Sequence, residues 1–234
     1  MFAAPPMLGD RVEAGRRLPL LIWRPSRPVL AIASAPLGGG IGRRGWIINA
    51  TVSSAYSRLD PAAHLAELAR GLDLDGPGVG LLTAVDVRGA VTEGDAGVVV
   101  TATVGLGHPT WAAAPDGDLR HRAPGAGTIN LVAWMPVPLA ASALVNAVST
   151  ATEAKVQALI DCGVSATGTA TDAICVACPP PDGTDEAADA GSEVGEAYSG
   201  PRSVWGARLA RAVHAAVVAG VARGNWAPEA DARV

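Results

Sequence analysis

The sequence predicts an α+β fold: a single layered domain in which a mostly antiparallel or mixed sheet is covered by a long central helix and a C-terminal helix. Short apolar runs of strand length fill the first half of the chain, and the two longest helical patterns lie in the second half. Partial segregation of strands and helices is typical of layered α+β domains. Of 234 residues, 49% are hydrophobic but only 4% aromatic, so small side chains should fill the core.

The composition excludes several function classes. A formal net charge of −4 argues against a nucleic-acid-binding surface, which is normally basic. No uncharged apolar run reaches the roughly 18 residues that a membrane span needs, and residues 1–20 lack the pattern of a signal peptide. We therefore expect a cytoplasmic protein that binds neither nucleic acid nor membranes.

Strand patterns dominate the first part of the chain. Residues 1–17 are predicted to be a weakly ordered lead-in, followed by a hairpin of strands 18–23 and 29–34, and by a strand at 46–52. Asp60-Pro61 predicts a helix start, with Asp60 as the N-cap and Pro61 in the first turn. That helix should end at Gly71, and His64 is expected on its surface.

A run of three glycines, Gly38 to Gly40, interrupts these strands. Glycine permits backbone conformations and close approaches that a Cβ would prevent. The run matches neither phosphate-binding glycine motif. A tight turn and a ligand-facing loop remain as interpretations, ahead of a phosphate loop.

Three further strands are predicted before the central helix. Strands at 79–87 and 98–104 suggest a hairpin or meander, with residues 93–95 in the connection. The third strand, 128–135, carries Asn130 within an apolar run. A buried amide is normally hydrogen-bonded, so Asn130 is either a structural residue or part of a site.

The longest helical pattern, residues 139–161, contains the only lysine of the chain, Lys155. At 100° per residue, Lys155 falls in the apolar stripe and Glu153 falls on the polar face, about 160° away. A buried ammonium needs a partner unless its stem reaches water. We expect that partner from elsewhere in the fold, at Asp172 or in the loops around Gly39 and Asn130.

The end of the chain alternates between apolar and polar segments. A strand at 174–177 carries Cys175, and Cys178 ends it; the two are predicted to be buried thiols, since a zinc site would need further ligands. An acidic stretch rich in glycine and proline, 179–200, is predicted to be a flexible loop. A helix at 203–222 closes the predicted domain of residues 18–222, and 223–234 form a tail.

Several of these segments together resemble the adenosylcobinamide amidohydrolases of corrinoid salvage. The similarity covers about residues 18–220, in order. The matching segments are SAPLGGGI at 34–41, IINATV at 47–52, VGLLTA at 79–84, VVVTATVGL at 98–106, GTIN at 127–130, TEAK at 152–155, TGTATDAI at 167–174 and the final helix from residue 200.

The resemblance implies hydrolysis of an amide. In adenosylcobinamide an aminopropanol arm is amide-linked to the corrin ring, and the product would be adenosylcobyric acid for cobalamin salvage or remodelling. The cobalt and the adenosyl group arrive with this corrinoid substrate, so we expect no cofactor or metal held by the protein.

The resembling motifs also supply candidate site residues. Glu153 or Asp172 would act as general base. The base would act on water, or on the hydroxyl of Thr169 or Thr171, and Lys155 would stabilise negative charge or orient the carboxylate. Candidate substrate-binding residues are Ser34, Gly38, Gly39, Gly40, Asn49, Thr83, Thr101, Thr128 and Asn130.

Two other functions remain open at this point. The same loops could bind a corrinoid without cleaving it, as in a carrier protein. An autoprocessing hydrolase with an internal threonine nucleophile is the other possibility. The alanine-rich helix face permits a homo-oligomer without requiring one.

Overall fold

A computed structural model describes residues 5–115, 127–181 and 195–224. In chain order its strands are β1 (Met7–Glu13), β2 (Arg16–Trp23), β3 (Val29–Ala33), β4 (Gly40–Arg44), β5 (Trp46–Thr51), β6 (Gly78–Thr83), β7 (Val91–Asp95), β8 (Val98–Val104), β9 (Ile129–Trp134) and β10 (Ala173–Cys178). The helices are α1 (Pro61–Gly71), α2 (Ala141–Asp161) and α3 (Val204–Arg223). The predicted tail begins within α3, at Arg223, and its residues beyond 224 lie outside the described residues, as does most of the predicted acidic loop.

The strands divide between two mixed sheets. One has the order β1-β2-β5-β6, and the other has the order β4-β3-β10-β9-β8-β7. Within them, β5 and β6 are parallel, as are β9 and β10. Each parallel pair is connected through a helix, α1 for the first and α2 for the second. A parallel pair needs such a crossover because its strands run in the same direction.

Three apolar clusters show how the layers stack. Leu21, Ile47 and Leu81 of the four-stranded sheet pack with Val132 and Trp134 of the six-stranded sheet, so the two sheets face each other. A second cluster joins the outer face of the smaller sheet to α1. A third, larger cluster joins the outer face of the larger sheet to α2 and α3. The order of layers is therefore helix, sheet, sheet, helices.

The predicted α+β class, mixed strand pairing and covering helices are confirmed. α3 is also long and apolar enough to cross a membrane by length and composition alone. Its apolar side, including Leu209, Val213 and Val217, is buried against the larger sheet and α2. That burial accounts for its hydrophobicity.

Two predicted strand pairings are wrong. The strands at 18–23 and 29–34 do not form a hairpin, because β2 pairs in the smaller sheet and β3 in the larger one. The strands predicted at 79–87 and 98–104 do not pair either, because β6 lies in the smaller sheet and β8 in the larger one. Residues 93–95, predicted as their connection, belong to β7, which forms a hairpin with β8. Consecutive strands that cross between stacked sheets have the same hydrophobic pattern as hairpin strands, so the pattern does not distinguish them.

Two predictions about the N-terminal part also fail. Residues 7–13 are not a weakly ordered lead-in, since β1 pairs with β2 along its whole length, from Met7 opposite Ile22 to Glu13 opposite Arg16. His64 is not a surface residue, since it is 3% exposed. It lies in the first turns of α1, under the loop that follows β5.

The predicted helix starts are correct in position but differ in capping. Asp60 accepts no capping hydrogen bond in α1, because its carboxylate instead accepts two from Arg58, at 2.9 and 2.7 Å. Ser203 does cap α3, where its hydroxyl accepts from the Gly206 amide at 3.0 Å.

Candidate active site

A cavity of about 320 Å³ opens at one end of the space between the two sheets. Strand ends of both sheets form its walls: the segments that end β5 and β6, and those that begin β9 and β10. The residues that line it are Pro36, Val52, Ser53, Ser54, Tyr56, Pro61, Leu82, Thr83, Ala84, Thr128, Asn130, Thr171 and Ala173.

Asn130 is held rigidly at the floor of this cavity. Its Nδ2 donates to Asn49 Oδ1 and to the Leu82 carbonyl, each at 2.9 Å. Asn49 Nδ2 in turn donates to Thr103 Oγ1 at 3.1 Å. Asn49 Oδ1 and the Leu82 carbonyl oxygen are both acceptors, so the Asn130 atom that contacts them must be the amide nitrogen. The other atom of the Asn130 amide is therefore the oxygen. That oxygen, Oδ1, is buried and has no partner among the described residues.

A pair of hydroxyl groups lies at the cavity wall. Thr128 Oγ1 and Thr171 Oγ1 are 2.6 Å apart, and Thr171 also lies 3.3 Å from the Gly127 carbonyl oxygen. When the Thr171 hydroxyl donates to Thr128, the Thr128 hydrogen is free to bond another acceptor. The pair can therefore offer one donor to a bound molecule.

The turn that carries Thr171 is anchored by a buried ion pair. Lys155 Nζ lies 2.5 Å from Asp172 Oδ2, and the two side chains are only 8% and 10% exposed. Asp172 also accepts from the Thr169 hydroxyl at 2.5 Å, from the Thr169 amide at 3.1 Å and from the Ile129 amide at 2.9 Å. Four donors occupy this carboxylate, which fixes the start of β10 against the start of β9.

The predicted partner of Lys155 is thus confirmed as Asp172. Gly168 must be a glycine here, because a Cβ would collide with Asp172 Oδ2 and lie 2.6 Å from Lys155 Nζ. Glu153 is not part of this cluster. It lies on the exposed face of α2 beside Thr152, Val156, Gln157 and Ile160.

The remaining candidates fall into three groups. Asn49 and Thr83 are buried next to the cavity, where Thr83 also lines the wall and accepts from the Val85 amide at 3.1 Å. Thr101 lies further along β8 and hydrogen-bonds Thr92 at 2.9 Å. Ser34 continues the pairing of β3 with β10, accepting from the Ile174 amide at 3.0 Å.

The Gly38–Gly40 run forms a tight turn and does not line the cavity. Gly38 has a φ of 71°, and a Cβ there would collide with the Gly78 carbonyl oxygen. The Arg44 guanidinium donates to the Gly38 carbonyl at 3.0 Å and 3.2 Å. Close packing of backbone against backbone accounts for glycine at this position.

Sequence reasoning missed Tyr56 and Ser53, which line the cavity from the loop after β5. It also missed the contact of Tyr56 with buried His64, whose Nδ1 lies 3.1 Å from the Tyr56 hydroxyl. His64 lies at the margin of the apolar stripe of α1, where periodicity does not distinguish a buried side chain from an exposed one.

Cys175 and Cys178 are free, buried thiols on β10. Burial raises the pKa of each thiol to about 12, so both are protonated and poor nucleophiles at neutral pH. Within the described ranges, no group of three histidine, cysteine or acidic side chains is arranged to hold a metal ion.

Two comparisons with known proteins, one with family models and one with curated sequences, agree with each other. The family model described as adenosylcobinamide amidohydrolase matches residues 6–229. A curated protein named adenosylcobinamide amidohydrolase, from Methanosarcina mazei, is 29% identical over 188 residues, which is 80% of this chain and 88% of the relative. The crystal structure of the PH0078 protein from Pyrococcus horikoshii matches 94% of this chain and 83% of its own, with 12% identity and a TM-score of 0.45.

Proposed function

The chain belongs to the adenosylcobinamide amidohydrolase family, and from that premise we propose that it hydrolyses the amide between the aminopropanol arm and the corrin ring of adenosylcobinamide. Water supplies the oxygen atom and the protons, and the products are adenosylcobyric acid and aminopropanol. Adenosylcobyric acid would then re-enter cobalamin synthesis in the cytoplasm, as a salvage or remodelling step.

The observation that carries this proposal is a cavity at the strand ends that is lined by the Thr128–Thr171 hydroxyl pair and by Asn130, in a chain whose family model matches residues 6–229. The hydroxyl pair of Thr128 and Thr171 can supply a donor for the amide carbonyl. The cavity therefore offers a hydrogen-bond donor to the group that hydrolysis must polarise.

The volume of the cavity also fits the part of the substrate that contains the amide. Ligand pockets for drug-sized molecules span roughly 300–1,000 Å³, and this cavity, at about 320 Å³, suits the aminopropanol arm and the amide. The corrin macrocycle would remain outside the mouth. Cobalt and the adenosyl ligand then belong to the substrate, and we propose no metal or cofactor held by the protein.

The roles of the candidate residues follow from their contacts. Thr171 and Thr128 bind the amide carbonyl and stabilise the negative charge that develops on its oxygen. Lys155, Thr169 and Asp172 position the turn that carries Thr171. Since four donors already occupy the Asp172 carboxylate, we do not assign the proton transfer to it.

The test is incubation of the purified chain with adenosylcobinamide in ¹⁸O-labelled water, followed by mass spectrometry. We expect free aminopropanol and a corrinoid product that carries one ¹⁸O in its new carboxyl group. Corrinoid bound at unchanged mass would contradict the proposal and favour the carrier function. The intact mass of the chain after incubation separates out self-cleavage, which would instead produce two fragments.

A further inference from the structure

The described residues that line the cavity include one titratable side chain, Tyr56. Amide hydrolysis must remove a proton from water and deliver one to the leaving amine. We infer that Tyr56 is the catalytic residue that relays this proton, that buried His64 takes up the proton from Tyr56 and returns it, and that Glu13 positions His64. This inference rests on the proposed hydrolysis and adds to it the residues that transfer the proton.

Tyr56 and His64 are in direct contact. The Tyr56 hydroxyl oxygen lies 3.1 Å from His64 Nδ1, and the two rings stack with centroids 5.5 Å apart and planes inclined by 18°. Tyr56 is in the loop between β5 and α1, and His64 follows on the first turns of α1. The loop therefore folds back on the helix and brings the tyrosine ring to the cavity wall.

Glu13, at the end of β1, faces the other ring nitrogen of His64. Its Oε1 lies 3.4 Å from His64 Nε2, and its Oε2 accepts from Arg11 at 2.8 and 3.1 Å. Arg11 is itself anchored to the Thr51 carbonyl at 2.7 Å. A carboxylate beside Nε2 favours the tautomer with its hydrogen on Nε2, in which Nδ1 accepts from the Tyr56 hydroxyl.

The Tyr56–His64 pair can take a proton from the attacking water and later give a proton to the leaving amine. As water attacks the amide carbon, its proton passes to the Tyr56 oxygen while the Tyr56 hydrogen passes to His64 Nδ1. When the carbon–nitrogen bond breaks, the Tyr56 hydroxyl protonates the leaving amine and His64 returns its proton to Tyr56. The new carboxylic acid releases its proton to solvent, so His64 and Tyr56 end as they began.

The surroundings of the pair fit this role. Burial raises the pKa of Tyr56, with Asp60, Glu13 and Glu67 adding to the rise and Arg58 opposing it. The phenol is therefore protonated at neutral pH and available as a donor. The charged groups around His64 are Glu13 and Arg11 from β1, Arg58 and Asp60 before α1, and Glu67 on α1.

Tyr56→Phe tests the inference, because it keeps the ring and its stacking and removes only the hydroxyl. We expect kcat for aminopropanol release to fall about 100-fold, with KM changed less than threefold and the melting temperature retained. Tyr198→Phe is the matched control, since Tyr198 is 75% exposed, and it should equal the wild type.

His64→Gln provides a second variant and a readout that a purely structural role would not change. Glutamine can accept a hydrogen bond from Tyr56 but cannot take up its proton, so kcat should fall while KM and the melting temperature are retained. Because the two residues act as one unit, the double variant Tyr56→Phe/His64→Gln should be no slower than the slower single variant.

The outcomes separate this inference from the proposed function. A wild type that releases no aminopropanol overturns both. An active wild type with Tyr56→Phe equally fast overturns the proton relay and leaves the proposed hydrolysis intact. A double variant whose losses multiply would also contradict the relay, because independent groups give additive free-energy changes.

Discussion

At the scale of single residues, the two acidic candidates, Asp172 and Glu153, differ in burial and in contacts. Asp172 is buried against Lys155 and accepts from four donors, so it holds a turn in place. Glu153, two positions before Lys155, lies on the exposed side of the same helix. The helical period of 3.6 residues predicts that Glu153 and Lys155 lie on different faces of α2. The position of Asp172 depends instead on the loop at 162–172, which has no such period.

Asp172→Asn should lower the free energy of unfolding by about 3 kcal/mol, because it leaves the Lys155 ammonium buried without a counter-charge. Chemical denaturation with urea measures this. The control is Asp161→Asn, whose exposed pair with His214 should be worth less than about 1 kcal/mol. Equal stability of the two variants would contradict the anchoring role of Asp172.

Glu153→Gln should leave turnover of adenosylcobinamide within about twofold of the wild type, because surface substitutions away from a site are usually near neutral. The measurement is steady-state release of aminopropanol. A loss of tenfold or more would show that Glu153 takes part in catalysis, and would argue against a site confined to the cavity.

At the scale of elements, close packing of one backbone segment against another explains the glycine-rich segment around Gly38. The Gly38 turn lies against the start of β6, and Leu37 forms a single bridge to Gly80. The positions of α1, α2 and α3 were predictable from their helical hydrophobic period, and that of β10 from a short continuous apolar run. Strand partners were not, since pairing depends on which sheet each strand joins.

Gly38→Ala should lower the free energy of unfolding by about 2 kcal/mol or more, because alanine is strained at a φ of 71° and its Cβ meets the Gly78 carbonyl oxygen. Gly71→Ala is the control, since nothing lies within 4 Å of a Cβ there and φ is not positive. Thermal unfolding of both proteins makes the comparison. A control that is equally destabilised would refute the argument from backbone packing.

At the scale of the whole molecule, the cavity exists because the two sheets are stacked so that the ends of β5 and β6 lie near the starts of β9 and β10. Residues from both sheets meet there, Asn49 from one and Asn130 from the other, joined by a hydrogen bond of 2.9 Å. Asn130, Thr128 and Thr171 could be named as candidates from the sequence. Their assembly with Tyr56 could not, because it depends on sheet stacking and on strand β1, which no pattern in residues 1–17 predicted.

The reactivity of the Cys175 and Cys178 thiols tests whether β10 is buried between the two apolar layers. Because burial raises the pKa of Cys175 and Cys178 from 9.0 to about 12, unfolding is favoured as pH rises between these values, and their stabilising contribution is complete below pH 9. At pH 8 we expect maleimide to label neither thiol in the native protein within minutes, and to label both in urea. Peptide mass spectrometry separates these two from the partly exposed Cys162, and rapid native labelling of Cys175 or Cys178 would contradict the packing of β10 between the two apolar layers.

We propose that the amide is cleaved in the cavity between the two sheets. Thr171→Val tests this, because it removes an exposed hydroxyl and nearly keeps the size of the side chain; the measurement is kcat/KM for aminopropanol release from adenosylcobinamide. We expect a decrease of about 100-fold with unchanged melting temperature. A Thr171→Val protein as active as the wild type would show that the amide is not cleaved at this hydroxyl pair.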